Sequence, residues 1–122
     1  MAKTIMIVDD SASLRQVVSI SLKGAGYDVV EACDGKDALR KLDGRKLHLI
    51  ISDVNMPNMD GISFVKAAKQ LAAYKFTPVI MLTTEAGDAM KQQGQAAGAK
   101  AWVVKPFQPA QMLNAVSKLV LP

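Results

Sequence analysis

Leu47-His48-Leu49-Ile50-Ile51-Ser52-Asp53 is a short, almost wholly apolar run that ends in a carboxylate. A run of this length, followed by turn residues, reads as a buried strand. Three more of the kind stand along the chain: Thr4-Ile5-Met6-Ile7-Val8 runs into Asp9-Asp10, Pro78-Val79-Ile80-Met81-Leu82 into Thr83-Thr84, and Ala101-Trp102-Val103-Val104 into Lys105-Pro106. A fifth strand is expected from Asp28 to Ala32. Helical patterns alternate with these runs, the signature of βα units feeding a parallel sheet. Open α/β sheets bind ligands at the C-terminal ends of their strands. The pattern therefore predicts one site with three carboxylates, a hydroxyl and an ammonium.

Between the strands, Leu14, Val17, Val18, Leu22 and Ala25 recur at helical spacing, with Gly26 as the stop. A short helix is predicted around Ala38, Leu39 and Leu42, ending near Gly44. A turn with Pro57 and Gly61 precedes a third helix that carries Ile62, Val65, Ala68 and Leu71 on one face. The fourth helix has Gly87, Gly94 and Gly98 in or beside it and a face of Ala and Gln, so a weakly held, mobile element is expected. The last runs from Pro109 to Leu119 with Met112, Leu113 and Val116 inward.

The chain has 122 residues, half of them hydrophobic, enough for one compact core. A single domain over residues 1–122 is expected, with nothing left over for an output domain. No apolar run approaches the roughly 20 residues that span a bilayer, and the N-terminus lacks the order of a signal peptide. A cytoplasmic protein without membrane association is expected. The net charge of +4 raises the question of nucleic acid, but the basic residues are scattered at spacings that suit solvated helix faces, without aromatic interleaving. Nucleic-acid binding is not expected. Cys33 is the only cysteine and reads as a buried structural thiol. His48 reads as a partly buried imidazole on the third strand, and Met56 and Met59 as packing residues.

Asp9 and Asp10, joined by a carboxylate from another strand, repel one another in a partly dry cleft and call for a cation. Hard carboxylate oxygens with room for water suit Mg²⁺. Asp53 is the candidate nucleophile, since a carboxylate can form an acyl phosphate. Phosphoryl transfer asks the protein mainly to neutralise the equatorial oxygens, for which Lys105 offers an ammonium and Thr83 a hydroxyl. Pro106 restricts the backbone of Lys105 and helps to aim it.

With those residues in view, the whole chain resembles the receiver domain of two-component response regulators. The segments Ile7-Val8-Asp9-Asp10-Ser11, Ser52-Asp53-Val54-Asn55-Met56-Pro57-Asn58-Met59-Asp60-Gly61, Met81-Leu82-Thr83-Thr84 and Val104-Lys105-Pro106-Phe107 stand in that family's order and separations. The resemblance implies a flavodoxin-like doubly wound α/β fold, five parallel strands in the order 2-1-3-4-5 with five helices. It implies Asp53 as phosphoacceptor and Asp9, Asp10, Asp53 and the Asn55 carbonyl as the Mg²⁺ site. Thr83 and Lys105 become the phosphate-sensing pair, Thr83 and Trp102 the switch, and Asn55 and Glu85 the residues that tune hydrolysis. The implied phosphodonor is a sensor histidine kinase. The likeness is to stand-alone chemotaxis members, which implies a monomer that is a switch rather than an enzyme, with a flagellar motor switch protein and a phosphatase as partners.

Departures from that subgroup lie at Trp102, where Tyr or Phe is usual, at Thr84, where a smaller residue is common, and at Gly87-Asp88 and Ala115, where motor-binding members often carry lysines. A phosphorelay shuttle or phosphate sink is the alternative. A flavodoxin proper is disfavoured because Asp9-Asp10 repel a flavin phosphate. An aspartate-nucleophile phosphatase usually places a second acid where this chain has Asn55.

Overall fold

In the computed structural model, described over residues 3–54, 56, 58–83, 88–105 and 107–120, the strand runs become one parallel sheet. The order of elements is β1 (Thr4–Val8), α1 (Ala12–Gly24), β2 (Asp28–Ala32), α2 (Gly35–Lys41), β3 (Leu49–Asp53), α3 (Gly61–Lys69), a 3₁₀ turn (Ala72–Tyr74), β4 (Val79–Thr83), α4 (Asp88–Ala97), β5 (Ala101–Val104) and α5 (Pro109–Leu119). The strands lie as β2-β1-β3-β4-β5, all parallel. This is the doubly wound, flavodoxin-like order that the family resemblance implies.

Parallel strands covered on both faces need apolar residues at every position, and β3 and β4 are buried throughout. Successive side chains then serve opposite layers. Met6, Val8, Ile50, Val79 and Met81 pack with Ala38, Phe64, Val65 and Ala68 from α2 and α3. Ile5, Ile7, Leu49, Ile51, Ile80 and Leu82 pack with Val18, Leu22, Met112 and Val116 from α1 and α5. The sheet is thus a partition between two cores.

Local chemistry sets the helix starts. The Ser11 hydroxyl accepts from the Leu14 N–H at 3.2 Å, Asp34 from Asp37 at 2.8 Å and Asp60 from Ser63 at 2.8 Å, each satisfying an N–H that the helix leaves unpaired. Gly26, at φ 97°, makes the left-handed turn out of α1.

Several sequence expectations need correction. Cys33 is exposed rather than buried, because it comes just after the edge strand β2 and its N–H is turned to Asp37 at 3.0 Å. Val17 is 51% exposed and Ala25 is also exposed: α1 buries a narrower stripe, Val18, Ser19 and Leu22, than the periodicity suggested. Leu71 lies beyond α3 and is exposed. The third strand starts at Leu49, so His48 precedes it, partly buried as expected, with Nδ1 accepting from the Thr4 N–H at 3.0 Å. Asp53 and Thr83 are themselves the last residues of β3 and β4. The 3₁₀ turn was not foreseen; it buries Tyr74, whose hydroxyl donates to the Arg45 carbonyl at 2.8 Å and accepts from the Gly44 N–H at 3.0 Å. Helix α4 is present, and of its described side chains Ala97 alone is buried.

Candidate functional site

The sheet register sets the heights of the functional residues. Val8 stands opposite Ser52, so Asp9 and Asp53 come next at the same level on adjacent strands. Asp53 is opposite Leu82, so Thr83 sits one residue above it on β4, and Thr83 is opposite Val104, with Lys105 immediately after. The backbones are tied just past the strand ends: Asp9 N–H donates to Ala32 O at 3.1 Å, Val54 N–H to Leu82 O at 2.9 Å, and Lys105 N–H to Thr83 O at 2.7 Å.

The side chains converge. Lys105 Nζ donates to Asp9 Oδ2 at 3.0 Å and lies 3.3 Å from Asp53 Oδ1. Carboxylate oxygens of Asp9, Asp10 and Asp53 all lie within 4.8 Å of one another. Asp9, Asp53 and Thr83 are buried, while Asp10 is exposed and opens the cluster to solvent. Burial first, and then the neighbouring Asp9 charge, push the Asp53 carboxyl above the usual carboxylate range; the Lys105 ammonium opposes them. Three carboxylates against one ammonium leave negative charge that a divalent cation is suited to balance. All the side-chain donors are hard oxygens, one set open to water, which fits Mg²⁺.

Of the residues singled out from sequence, the fold brings Asp9, Asp10, Asp53, Thr83 and Lys105 to one end of the sheet. Trp102 lies three residues before Lys105, half-buried against the α2–α4 core, with an indole N–H that has no partner among the described residues. Asn55, Pro57, Thr84, Glu85, Gly87 and Pro106 lie outside the described residues.

Two contributors escaped the sequence reading. Arg15 donates from Nη1 to the Asp9 carbonyl at 2.5 Å and faces Glu31 at 3.4 Å, bracing the β1–α1 turn. Its position one turn into α1 after Ser11 was the available signal. Gly61 starts α3 directly behind Asp53: a Cβ there would stand 1.9 Å from the Asp53 carbonyl oxygen. The loop between is held by Gly61 N–H to Val54 O at 2.8 Å and by Asn58 Nδ2, which donates to Asp34 Oδ2 at 2.8 Å.

A doubly wound sheet whose strand ends gather an acid pair, a buried aspartate, a hydroxyl and a lysine defines a receiver. Residues 5–117 match the response regulator receiver domain family, and the chain belongs to that family. It is 39% identical over 119 residues to the chemotaxis protein CheY1 of Helicobacter pylori, covering 96% of this chain and 95% of that protein. It is 37% identical over 112 residues to protein PilG of Pseudomonas aeruginosa, covering 92% of this chain and 83% of that one. Among solved structures, the chemotaxis protein CheY4 of Vibrio cholerae superposes with a TM-score of 0.94 at 48% identity, over 98% of this chain and 99% of that one.

Proposed function

We propose that this protein is a phosphorylation switch in which Asp53 accepts a phosphoryl group from a phosphohistidine of a sensor histidine kinase. An Asp53 carboxylate oxygen attacks phosphorus and forms the acyl phosphate bond as the P–N bond to the donor imidazole breaks, and that imidazole takes up a proton. The observation that carries this reading is the Lys105 ammonium set between Asp9 and Asp53, where it can track charge onto a phosphoryl oxygen. Asp9, Asp10 and Asp53, with the Asn55 carbonyl proposed from sequence, would hold Mg²⁺, which when bound supplies charge neutralisation to the phosphoryl oxygens. The Thr83 hydroxyl at the end of β4 is proposed to donate to the bound phosphoryl group. Asn55 and Glu85 are proposed to tune its hydrolysis.

The change is proposed to leave the site through β5. Thr83 and Val104 are paired across β4 and β5, so a shift of Thr83 reaches Trp102 and the surface formed by α4, β5 and α5. The likeness to chemotaxis proteins supports a role in chemotaxis through a motor switch protein. The residues at Gly87-Asp88 and Ala115 favour, as a second reading, a phosphorelay shuttle or phosphate sink, since they leave that surface less positive than an acidic motor partner requires.

The test is incubation with acetyl phosphate, with and without Mg²⁺, monitored by intact mass and by the fluorescence of the sole tryptophan. The expected result is a Mg²⁺-dependent adduct that Asp53→Asn abolishes, with a coincident fluorescence change. An adduct that persists in Asp53→Asn refutes the assignment of the nucleophile.

A further inference from the structure

The fold collects charge that looks scattered along the chain. Lys3 and Lys100 stand directly before β1 and β5, and Lys46 and Lys75 in the turns that lead into β3 and β4. Because the strands are parallel, these four gather at the N-terminal end of the sheet, opposite the aspartates. Backbone bonds tie the strand starts together: Asp28 N–H donates to Lys3 O at 2.9 Å, His48 N–H to Thr4 O at 2.8 Å and Lys100 N–H to Val79 O at 2.8 Å. The helices run back against the strands, so the last turns of α1 and α5 bring Lys23 and Lys118 to the same end. Those two offset helix dipoles. A sheet has only a small net dipole, so the four at the strand starts have no such duty. None of the four is ion-paired among the described residues. The acids of this end are Asp28, exposed at the start of β2, and Asp43, which Arg45 holds at 3.0 Å.

One side chain is out of keeping with a merely solvated end. Phe76 is 88% exposed, and its loop keeps it out. Lys69 Nζ donates to the carbonyls on either side of it, Lys75 O at 3.3 Å and Thr77 O, while the buried Tyr74 ties the same turn to Arg45 O at 2.8 Å. Leu71, at the other end of the 3₁₀ turn, is exposed as well, and Lys75 Nζ lies over the Phe76 ring, 5.7 Å from its centroid. Aromatic and basic side chains held together at a surface suit a lipid headgroup layer, where ring and ammonium each find their medium.

We infer that this end of the protein docks on an anionic lipid bilayer, with Phe76 entering the interface and the strand-start lysines meeting the headgroups. A nucleic-acid backbone would use the lysines but offers no apolar phase to Phe76, and the ring already carries an ammonium over the face on which a base would stack. The acidic end does not oppose the contact. Strands of five residues put it about 17 Å away, about twice the screening length at physiological salt. The carboxylate site then faces away from the bilayer, open to a phosphodonor. The expectation of no membrane association followed from the want of a spanning run, and a surface contact needs none.

The experiment is cosedimentation of the full-length, unphosphorylated protein with vesicles of equimolar phosphatidylserine and phosphatidylcholine, and with vesicles of phosphatidylcholine alone. Binding is expected to the mixed vesicles only, and to weaken as salt is raised. Lys75→Gln should lower the partition coefficient about fivefold and Phe76→Ser about tenfold, with urea unfolding of the exposed Phe76 variant unchanged. Lys36→Gln makes the same change of net charge at the N-terminal turn of α2, at the other end of the molecule, and should bind as the parent does. Equal pelleting, or none, with the two kinds of vesicle overturns the inference. So does a Lys36→Gln loss as large as that of Lys75→Gln, which would mean net charge alone. Phe76→Ser bound as tightly as the parent also overturns it, leaving a contact that any soluble polyanion could make.

Discussion

Gly61→Ala tests how tightly the site depends on the turn behind it. A Cβ at Gly61 would meet the Asp53 carbonyl oxygen at 1.9 Å, the Asp53 carbonyl carbon at 2.9 Å and the Val54 Cα at 3.0 Å. Real Cβ atoms essentially never approach below 3.0 Å, so the two backbones must separate by about 1 Å, and no flexible side chain is there to yield. Overpacking of this kind costs about 3 kcal/mol at the upper end of its usual range. With unfolding entropy near 2.1 cal/mol/K per residue, a chain of this length loses about 4 °C of Tm for each kcal/mol, so a fall of about 12 °C is expected. The displaced backbone carries Asp53, and a shift of about 1 Å in a reacting group costs about 100-fold in rate. Adduct formation from acetyl phosphate, measured by mass at a temperature where the variant is folded, should therefore slow by about that factor. Gly24→Ala is the control: nothing lies within 4 Å of its Cβ, and in a helix it should gain about 0.5 kcal/mol. If Gly61→Ala melts within about 2 °C of the parent and is labelled at the parent rate, the close approach has no role and the reasoning fails.

Tyr74→Phe removes a buried hydroxyl bonded to Arg45 O and Gly44 N–H and should cost about 1–3 kcal/mol in urea unfolding; a loss under half a kcal/mol, roughly, would mean that water takes its place. The His48 imidazole is held below its ordinary value of 6.5, chiefly by burial and then by Lys3 and Lys46. The unfolded chain therefore takes up the proton first, and stability should be full above that value and fall as pH drops below it. His48→Gln should flatten that part of the pH profile, and an unchanged slope would exclude His48 as its source. Mg²⁺ should stabilise the fold by relieving repulsion among Asp9, Asp10 and Asp53, by about 2.7 kcal/mol at a hundredfold excess over Kd, read as a rise of about 10 °C in Tm. Asp10→Asn, a change at an exposed position, should shrink that gain; an equal gain would place the ion elsewhere.

The sheet and its site were legible because buried parallel strands are written as unbroken apolar runs, and the residues at the end of each run must sit at the sheet's C-terminal end. Strand identity therefore carried Asp9, Asp10, Asp53, Thr83 and Lys105 with it. Burial at the margins was harder to read. Val17 and Leu71 share the apolar character of Val18 and Ala68, and a sequence does not say how wide a stripe each helix buries. Cys33 was misjudged because its neighbours Val29 and Val30 are apolar, whereas an edge strand exposes residues that a central one would cover. Gly61 looked like an ordinary turn glycine; only the packing of α3 against the end of β3 shows the backbone contact that excludes a side chain.

Lys105 makes the acidic cluster less dependent on its solution than three carboxylates alone would be. Free counterions occupy a negative site in proportion to their concentration, and they exchange with whatever salt is present. An ammonium tethered through β5 is instead present at a fixed and high effective concentration, 3.0 Å from Asp9 and 3.3 Å from Asp53. Part of the cluster's charge is thus balanced by the chain itself, whatever the ionic strength around it. The same tether makes the counterion a mechanical part of the protein, so any redistribution of charge among the carboxylates pulls on the end of a strand.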